Sequence, residues 1–210
     1  MKKISHWKPR YLCNRAVRYY HEKCIPSCPW LAIGAIRFLE KWLKGTDVCL
    51  EYGAGRSTAW LASRVGCIIT VESNRTWYEK VKAAISIYSN AEIYLFESND
   101  DMVPGSRVSW DYVYKTKEFP PEMFDVIVND GYARSHVGVQ ALPLLKRGGI
   151  MVWDDWANTF PTATHIPDAL PAGSIVKDKT FLEFWEVVRD WRQVEYDDGT
   201  HSTAILFKPS

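Results

Sequence analysis

The 210 residues are 47% hydrophobic and 24% charged, the composition of one ordinary globular domain with enough chain to bury a sizeable core. A formal charge of +1 gives no electrostatic case for nucleic acid or for an anionic membrane as partner. No apolar run reaches the roughly 18 residues a membrane helix needs, and the N-terminal lysines are not followed by the apolar segment of a signal peptide.

The basic start, MKKISHWKPRYLCNRAVRYYHEK, reads as a solvated helix face over residues 10 to 23, with docking of an acidic partner as the alternative. Cys13, His21, Cys24 and Cys28 offer four zinc donors in principle, but their spacing is irregular and contains no C-x-x-C pair. Five scattered cysteines read as free thiols, so the expected compartment is the reducing cytoplasm. Residues 29 to 44 place Trp30, Ile33, Ile36, Leu39, Trp42 and Leu43 at helical spacing, with Ser27 as cap, Pro29 early in the helix and Gly45 ending it. Residues 1–45 are therefore expected to form a helical N-terminal extension to a domain spanning 46–210.

From there the pattern alternates. DVCLEY, CIITVE, AEIYLF, FDVIVND and GIMVWDD are strand-like; the intervening helices are expected at about 57–65, 75–87 and 133–146. FLEFWEVVRDW is helical, and QVEYDD and TAILFK form a hairpin across DDGTH. This is the pattern of an α/β fold, a doubly wound and mostly parallel sheet of seven strands, with one antiparallel strand expected at its edge. Residues 97–123 and 155–180 carry no clear period and read as functional loops.

Such a sheet takes its ligand beyond the carboxyl ends of the strands, where strand order reverses. Here the first strand runs into Gly53 and Gly55 with Glu51 just ahead, and Glu72 closes the second strand. A dinucleotide turn would carry a third glycine, but position 58 is Thr58, and Glu51 would repel a pyrophosphate. An ammonium group would be attracted by the same carboxylate, while Glu72 suits the hydroxyl pair of a ribose. These features, in LEYGAGRSTAWLASR and ITVESNRTWYEKV, resemble the class I S-adenosylmethionine-dependent methyltransferases, from about residue 46 to the C-terminus. The resemblance implies a Rossmann-like methyltransferase fold with S-adenosylmethionine as cofactor. It places Glu51 near the methionine amino group, Gly53, Ala54 and Gly55 along the backbone approach, Ser57 and Thr58 at the helix start, and Glu72 on the ribose. Asn99 and Asp100 fall where the superfamily contacts adenine, and Trp77 borders the adenine or else belongs to the core.

Asp130 ends the fourth strand; Asp154 and Asp155 end the fifth. Three acids converging on one rim repel unless protonated or bridged by a cation. The arrangement is similar to that of metal-dependent small-molecule O-methyltransferases, which implies Asp130, Asp154 and Asp155 as ligands of Mg²⁺ or another divalent ion; Asp155 departs from the asparagine of that family. The alternatives are that Asp130 opens a tight Asp-Gly turn, that the Asp154–Asp155 pair caps backbone, or that Arg134 pairs with a rim acid. His136 is a candidate general base beside Asp130 and Asp154, and Trp156 a candidate wall of the acceptor pocket, with Trp153 in the core. The reading is methyl transfer to a small-molecule acceptor, most simply at oxygen. A nucleotide-dependent oxidoreductase and a non-catalytic binding module are the competing readings.

Overall fold

The computed structural model describes residues 8–25, 28–164, 166–176 and 178–210. Pro26 and Ser27, the latter expected to cap a helix, lie outside the described residues. The chain forms a seven-stranded sheet in the order β3-β2-β1-β4-β5-β7-β6. Its strands are β1 (Val48–Tyr52), β2 (Cys67–Glu72), β3 (Ala91–Leu95), β4 (Phe124–Asn129), β5 (Leu145–Asp154), β6 (Arg192–Asp197) and β7 (Ser202–Phe207). The first five pair in parallel with one another, and β7 pairs antiparallel with both β5 and β6. The antiparallel strand is thus the penultimate one, not the edge: the hairpin folds back so that β7, buried along its whole length, fills the place beside β5 while the half-exposed β6 takes the rim.

Alternation along the strands sends side chains to two separate cores, as a sheet covered on both faces requires. Leu50, Ile127, Met151 and Trp153 face one core, with Val137 and Ala141 of α6 (Arg134–Ala141) and Phe184 and Val188 of α8 (Lys179–Val188). Cys49, Val126, Val128, Ile150 and Val152 face the other, with α2 (Ile33–Trp42) and α3 (Arg56–Ala62). Helix α4 (Arg75–Ile85) begins at Asn74, whose side-chain oxygen accepts from Trp77 N, and packs Val81 and Ile85 beside Ala54. No helix of the described residues is long and apolar enough to cross a membrane.

Several boundaries differ from the sequence reading. Helix α1 (Pro9–Cys24) is followed by a non-helical strap at Pro29–Leu31, so α2 starts four residues after Pro29. The reason is Arg18, buried at 4% exposure, whose guanidinium donates to the carbonyls of Pro29 (3.1 Å) and Leu31 (2.6 Å) and so uses them outside any helix. At its other end α2 stops at Trp42, before Gly45, as Leu43 turns extended. Helix α6 ends at Ala141 because Pro143 cannot continue it, and β5 begins at Leu145. The loops 97–123 and 155–180 hold two short helices, α5 (Trp110–Tyr114) and α7 (Trp156–Thr159), too brief to show a period.

The position of α6 matters to the site, because it carries Arg134 and His136. It lies close to the sheet through Gly138, where an added Cβ would meet the Trp153 ring at 2.6 Å and Phe184 at 3.0 Å. Gly138→Val is therefore expected to lower stability by about 1–3 kcal/mol, read as a drop in the urea midpoint.

Candidate functional site

The order reverses between β1 and β4, and there the backbones leaving the two strands touch. Gly53 has φ +92°, and a Cβ on it would lie 2.7 Å from the Asp130 carbonyl. Gly131 faces the Tyr112 hydroxyl, which a Cβ would meet at 2.0 Å. Beyond this contact opens a cleft of about 470 Å³, walled by the Gly53–Ser57 turn, by Glu72–Asn74 and Trp77, by Asp130–Tyr132 and Arg134, and by Trp30 from the N-terminal strap. At Gly55 the backbone is extended and an added Cβ would meet nothing closer than Ser57 Oγ at 3.8 Å, so this position fronts open space.

Glu51 sits under the turn, fully buried. Its Oε2 accepts from the hydroxyls of Thr58 (2.6 Å) and Thr70 (2.9 Å), while Thr58 Oγ1 accepts from Gly55 N (3.0 Å), locking the turn to the helix start. Oε1 is buried with no hydrogen-bond partner among the described residues. Burial pushes the carboxyl up to about 7, against the lowering by the hydroxyls of Ser57, Thr58 and Thr70. Glu72 lines the cleft and also folds it: Oε2 accepts from Ala54 N (2.8 Å) and Oε1 from Ser73 N and Asn74 N (both 2.7 Å). A carboxylate has about four acceptor positions, so one remains on Oε2 for a ligand hydroxyl.

Gly53, Ala54, Gly55, Ser57, Glu72 and Asp130 come together at the cleft, as does Trp77; Glu51 and Thr58 lie immediately behind it. Asn99 and Asp100 do not join them. They are exposed, and the Asn99 amide is spent on Asp111 (3.0 Å). Trp156 is no pocket wall either: at 1% exposure it stacks on Phe160, centroids 4.1 Å apart, because α7 turns it back into the core beside Trp153. The cleft residues to which the sequence reading gave no site role include Trp30, Arg56, Ser73, Asn74, Tyr112 and Tyr132, which no motif marks.

A second cavity, about 330 Å³, adjoins the first and shares Gly131, Tyr132 and Arg134 with it. Pro104–Arg107, Thr159, Asp178 and Phe181 complete its walls, and His136 opens onto it. The His136 ring is held by Ser135 Oγ (3.3 Å to Nδ1), Thr180 Oγ1 (3.5 Å to Nε2) and an edge contact with Trp110. Both turns that meet here carry non-glycine residues at positive φ, Ala133 (50°) and Asp155 (54°), and conformations of this cost gather at functional sites.

The three rim aspartates do converge, but around a guanidinium. Arg134 binds Asp130 Oδ1 through Nη2 (3.0 Å) and Asp155 Oδ2 through Nη1 (3.4 Å). Asp154 hydrogen-bonds Asp130 and accepts from Thr203 Oγ1 (2.9 Å). Burial, with Asp130 and Asp155 alongside, pushes Asp154 well above the usual carboxylate range; burial also raises Asp130, although Arg134 opposes it. One guanidinium and the raised protonation of Asp154 reduce the negative charge of the cluster without cancelling it, in the place where a divalent ion would have to sit. The metal assignment of Asp130, Asp154 and Asp155 does not fit these residues, and among the described residues no group of three or more His, Cys, Asp or Glu is arranged as a metal site. Cys13 and Cys24 are exposed while Cys28 is buried against α2, so the zinc quartet is not assembled.

An O-methyltransferase from Bacillus cereus, solved with SAH, superposes on 99% of this chain and 92% of its own, with a TM-score of 0.57 at 15% identity. An rRNA methylase from Streptococcus thermophilus gives 0.52 at 14% identity over 83% of this chain and 93% of its own. This is the class I methyltransferase fold. The tRNA (m1A58) methyltransferase TrmI of Aquifex aeolicus shares it, with a TM-score of 0.50 at 14% identity over 82% of this chain and 66% of its own. No protein-family model and no curated protein matches the sequence. Proteins of this fold therefore act on acceptors as different as RNA, and the fold leaves the acceptor open.

Two measurements test the electrostatics. Glu51 is protonated in the folded protein well above its ordinary value of 4.5, so its contribution is complete below pH 4.5 and is lost as pH rises through 7. Urea unfolding of the ligand-free protein should show a loss of stability across that window that is smaller by about 3 kcal/mol in Glu51→Gln, the raised Asp130 and Asp154 supplying the remainder. Chelation by EDTA is expected to leave both cofactor affinity and turnover unchanged; loss of either on chelation, restored by Mg²⁺, would contradict the Arg134 assignment.

Proposed function

We propose that the protein is an S-adenosylmethionine-dependent methyltransferase whose acceptor is a small molecule, methylated at oxygen. The observation that carries this reading is the pair of adjoining cavities, one lined by the glycine turn and its acids, the other by His136, with a common wall at Gly131, Tyr132 and Arg134. The first cavity fits a sulfonium nucleoside: Glu51 Oε1 is an unpaired buried acceptor for an ammonium group, Glu72 Oε2 keeps one acceptor position for a ribose hydroxyl, and Gly55 leaves the space a ligand needs. A pyrophosphate would meet Glu51 and Asp130 instead, which disfavours the nucleotide-dependent oxidoreductase.

When bound, S-adenosylmethionine supplies a methyl group on a positively charged sulfur. The chain's own contribution is placement and proton handling. The cluster of Asp130, Asp154, Asp155 and Arg134 carries excess negative charge at the cleft wall, favourable to a cationic ligand. An acceptor in the second cavity lies against His136, whose ring takes the proton of the acceptor hydroxyl as the oxygen attacks. Arg134 and Tyr132 form the common wall of the two cavities, so they would hold a bound acceptor beside a bound methyl donor. A cavity of about 330 Å³ is the size a small acceptor fills, and the charge of +1 gives no electrostatic case for a nucleic acid. The free thiols fit a reducing cytoplasm.

Calorimetry with S-adenosylhomocysteine is the first test, with micromolar binding expected; no heat at millimolar ligand would reject the proposal. Gly55→Val separates binding from folding, since the extended backbone accepts any residue while the added side chain enters the ligand's space. It should unfold within about 0.5 kcal/mol of the parent and lose ligand affinity by at least about 100-fold.

A further inference from the structure

Two polar atoms of opposite character are left unpaired on the same turn. Glu51 Oε1 is a buried acceptor, and five residues on, Arg56 Nη1 is a buried donor; neither has a partner among the described residues. Arg56 makes no ion pair there, yet it lines the cleft with Gly53 and Gly55. A buried donor without a partner costs free energy, more so on a charged group, and a ligand that brings an acceptor relieves that cost.

The guanidinium is not loose. It lies over the Trp30 ring, 5.3 Å from its centroid, within the range where a cation is attracted to the indole face. Trp30 in turn is fixed from both sides, because the two carbonyls that Arg18 ties down belong to its neighbours Pro29 and Leu31. Arg18 itself is anchored by Glu22 (2.7 Å) and Asp198 (3.3 Å). A chain of contacts thus runs from the N-terminal helix and the β6–β7 turn, through Trp30, to a cation at the mouth of the cleft.

The ligand chemistry that needs both orphans is an α-amino acid: its ammonium goes to an acceptor and its carboxylate to a donor. A pyrophosphate would use Arg56 but be repelled by Glu51. We propose that Arg56 binds the carboxylate of the cofactor's amino-acid tail, with Trp30 as the residue that positions it, so that the N-terminal lead-in forms one wall of the cofactor site. This rests on the methyltransferase reading and names how its cofactor's tail is held.

The test compares two ligands by calorimetry: S-adenosylhomocysteine, which has the amino-acid tail, and 5′-methylthioadenosine, which has the same nucleoside and sulfur without it. Arg56→Gln should weaken S-adenosylhomocysteine by about 10- to 100-fold and leave methylthioadenosine unchanged. Because methylthioadenosine binding reports an intact site, a misfolded variant is recognised at once. Trp30→Leu should narrow the ratio between the two affinities, which a general loss of structure would not do. Unchanged S-adenosylhomocysteine affinity in Arg56→Gln, or an equal loss for both ligands, overturns the assignment while leaving the cofactor reading intact. If the unmodified protein binds neither ligand, the cofactor reading fails, and this inference with it.

Discussion

At the switch point of the sheet the backbones leaving β1 and β4 are in contact, and a methyl-sized substituent at Gly53 or Gly131 would keep them apart. Gly53 at φ +92° carries the chain around within van der Waals reach of the Asp130 carbonyl, and Gly131 packs under the Tyr112 hydroxyl. Everything at the site inherits its place from this approach. The turn after β1 can then hand Ala54 N to Glu72 at the end of β2, and the turn after β4 can bring Asp130 and Arg134 against the same cleft. An alanine at Gly53 would be strained in its dihedral angles and clash with backbone, which cannot yield as a side-chain tip can.

Charge at this rim is managed internally. The amide of Ala32 donates to Thr203 Oγ1 (2.9 Å), the Thr203 hydroxyl donates to Asp154, Asp154 shares its hydrogen bond with Asp130, and Arg134 joins Asp130 to Asp155. The network spans the strap before α2, β7, β5, β4 and α6, so it ties the lead-in to the site across the sheet. The Thr203 hydroxyl directs its one hydrogen at Asp154 Oδ1. Asn129 adds a backbone anchor, its amide donating to the Arg134 carbonyl (2.9 Å), so the first residue of α6 is held at both its main chain and its side chain.

What the sequence made legible follows from where the signal is local. Six of the seven strands carry a short apolar run bounded by turns, the polar β6 being legible through its hairpin with β7, and Glu51-x-Gly53-x-Gly55 with Glu72 marks the cleft because chemistry and chain geometry coincide in a few consecutive residues. The strand order around β7 was not legible, since a hairpin pattern fixes which strands pair and not which of them turns inward. Asn99 and Asp100 were placed by analogy of position after β3, and the fold spends the Asn99 amide on Asp111 instead. Trp156 looked like a wall because it follows a strand end; the left-handed turn at Asp155 sends it back to Phe160. The three aspartates were legible as a cluster, and Arg134 as the alternative partner of one of them; that its guanidinium reaches both Asp130 and Asp155 follows only from the packing of α6 on β4.

Trp30 shows the same limit from the other side. In the sequence it belongs to a helical apolar stripe, and by period it should be buried with Ile33, Ile36 and Leu39. It is 45% exposed because Arg18 has withdrawn Pro29 and Leu31 from the helix, which rotates the indole out of the α2 stripe and toward Arg56 and Trp77. A buried arginine used only to hold two carbonyls would be a costly way to make a turn, since each lost helical bond must be replaced and a charge desolvated. That cost is understandable if the strap has to present Trp30 to the cleft. The lead-in then serves as part of the ligand site, continuous with the turn at Gly53 that begins it.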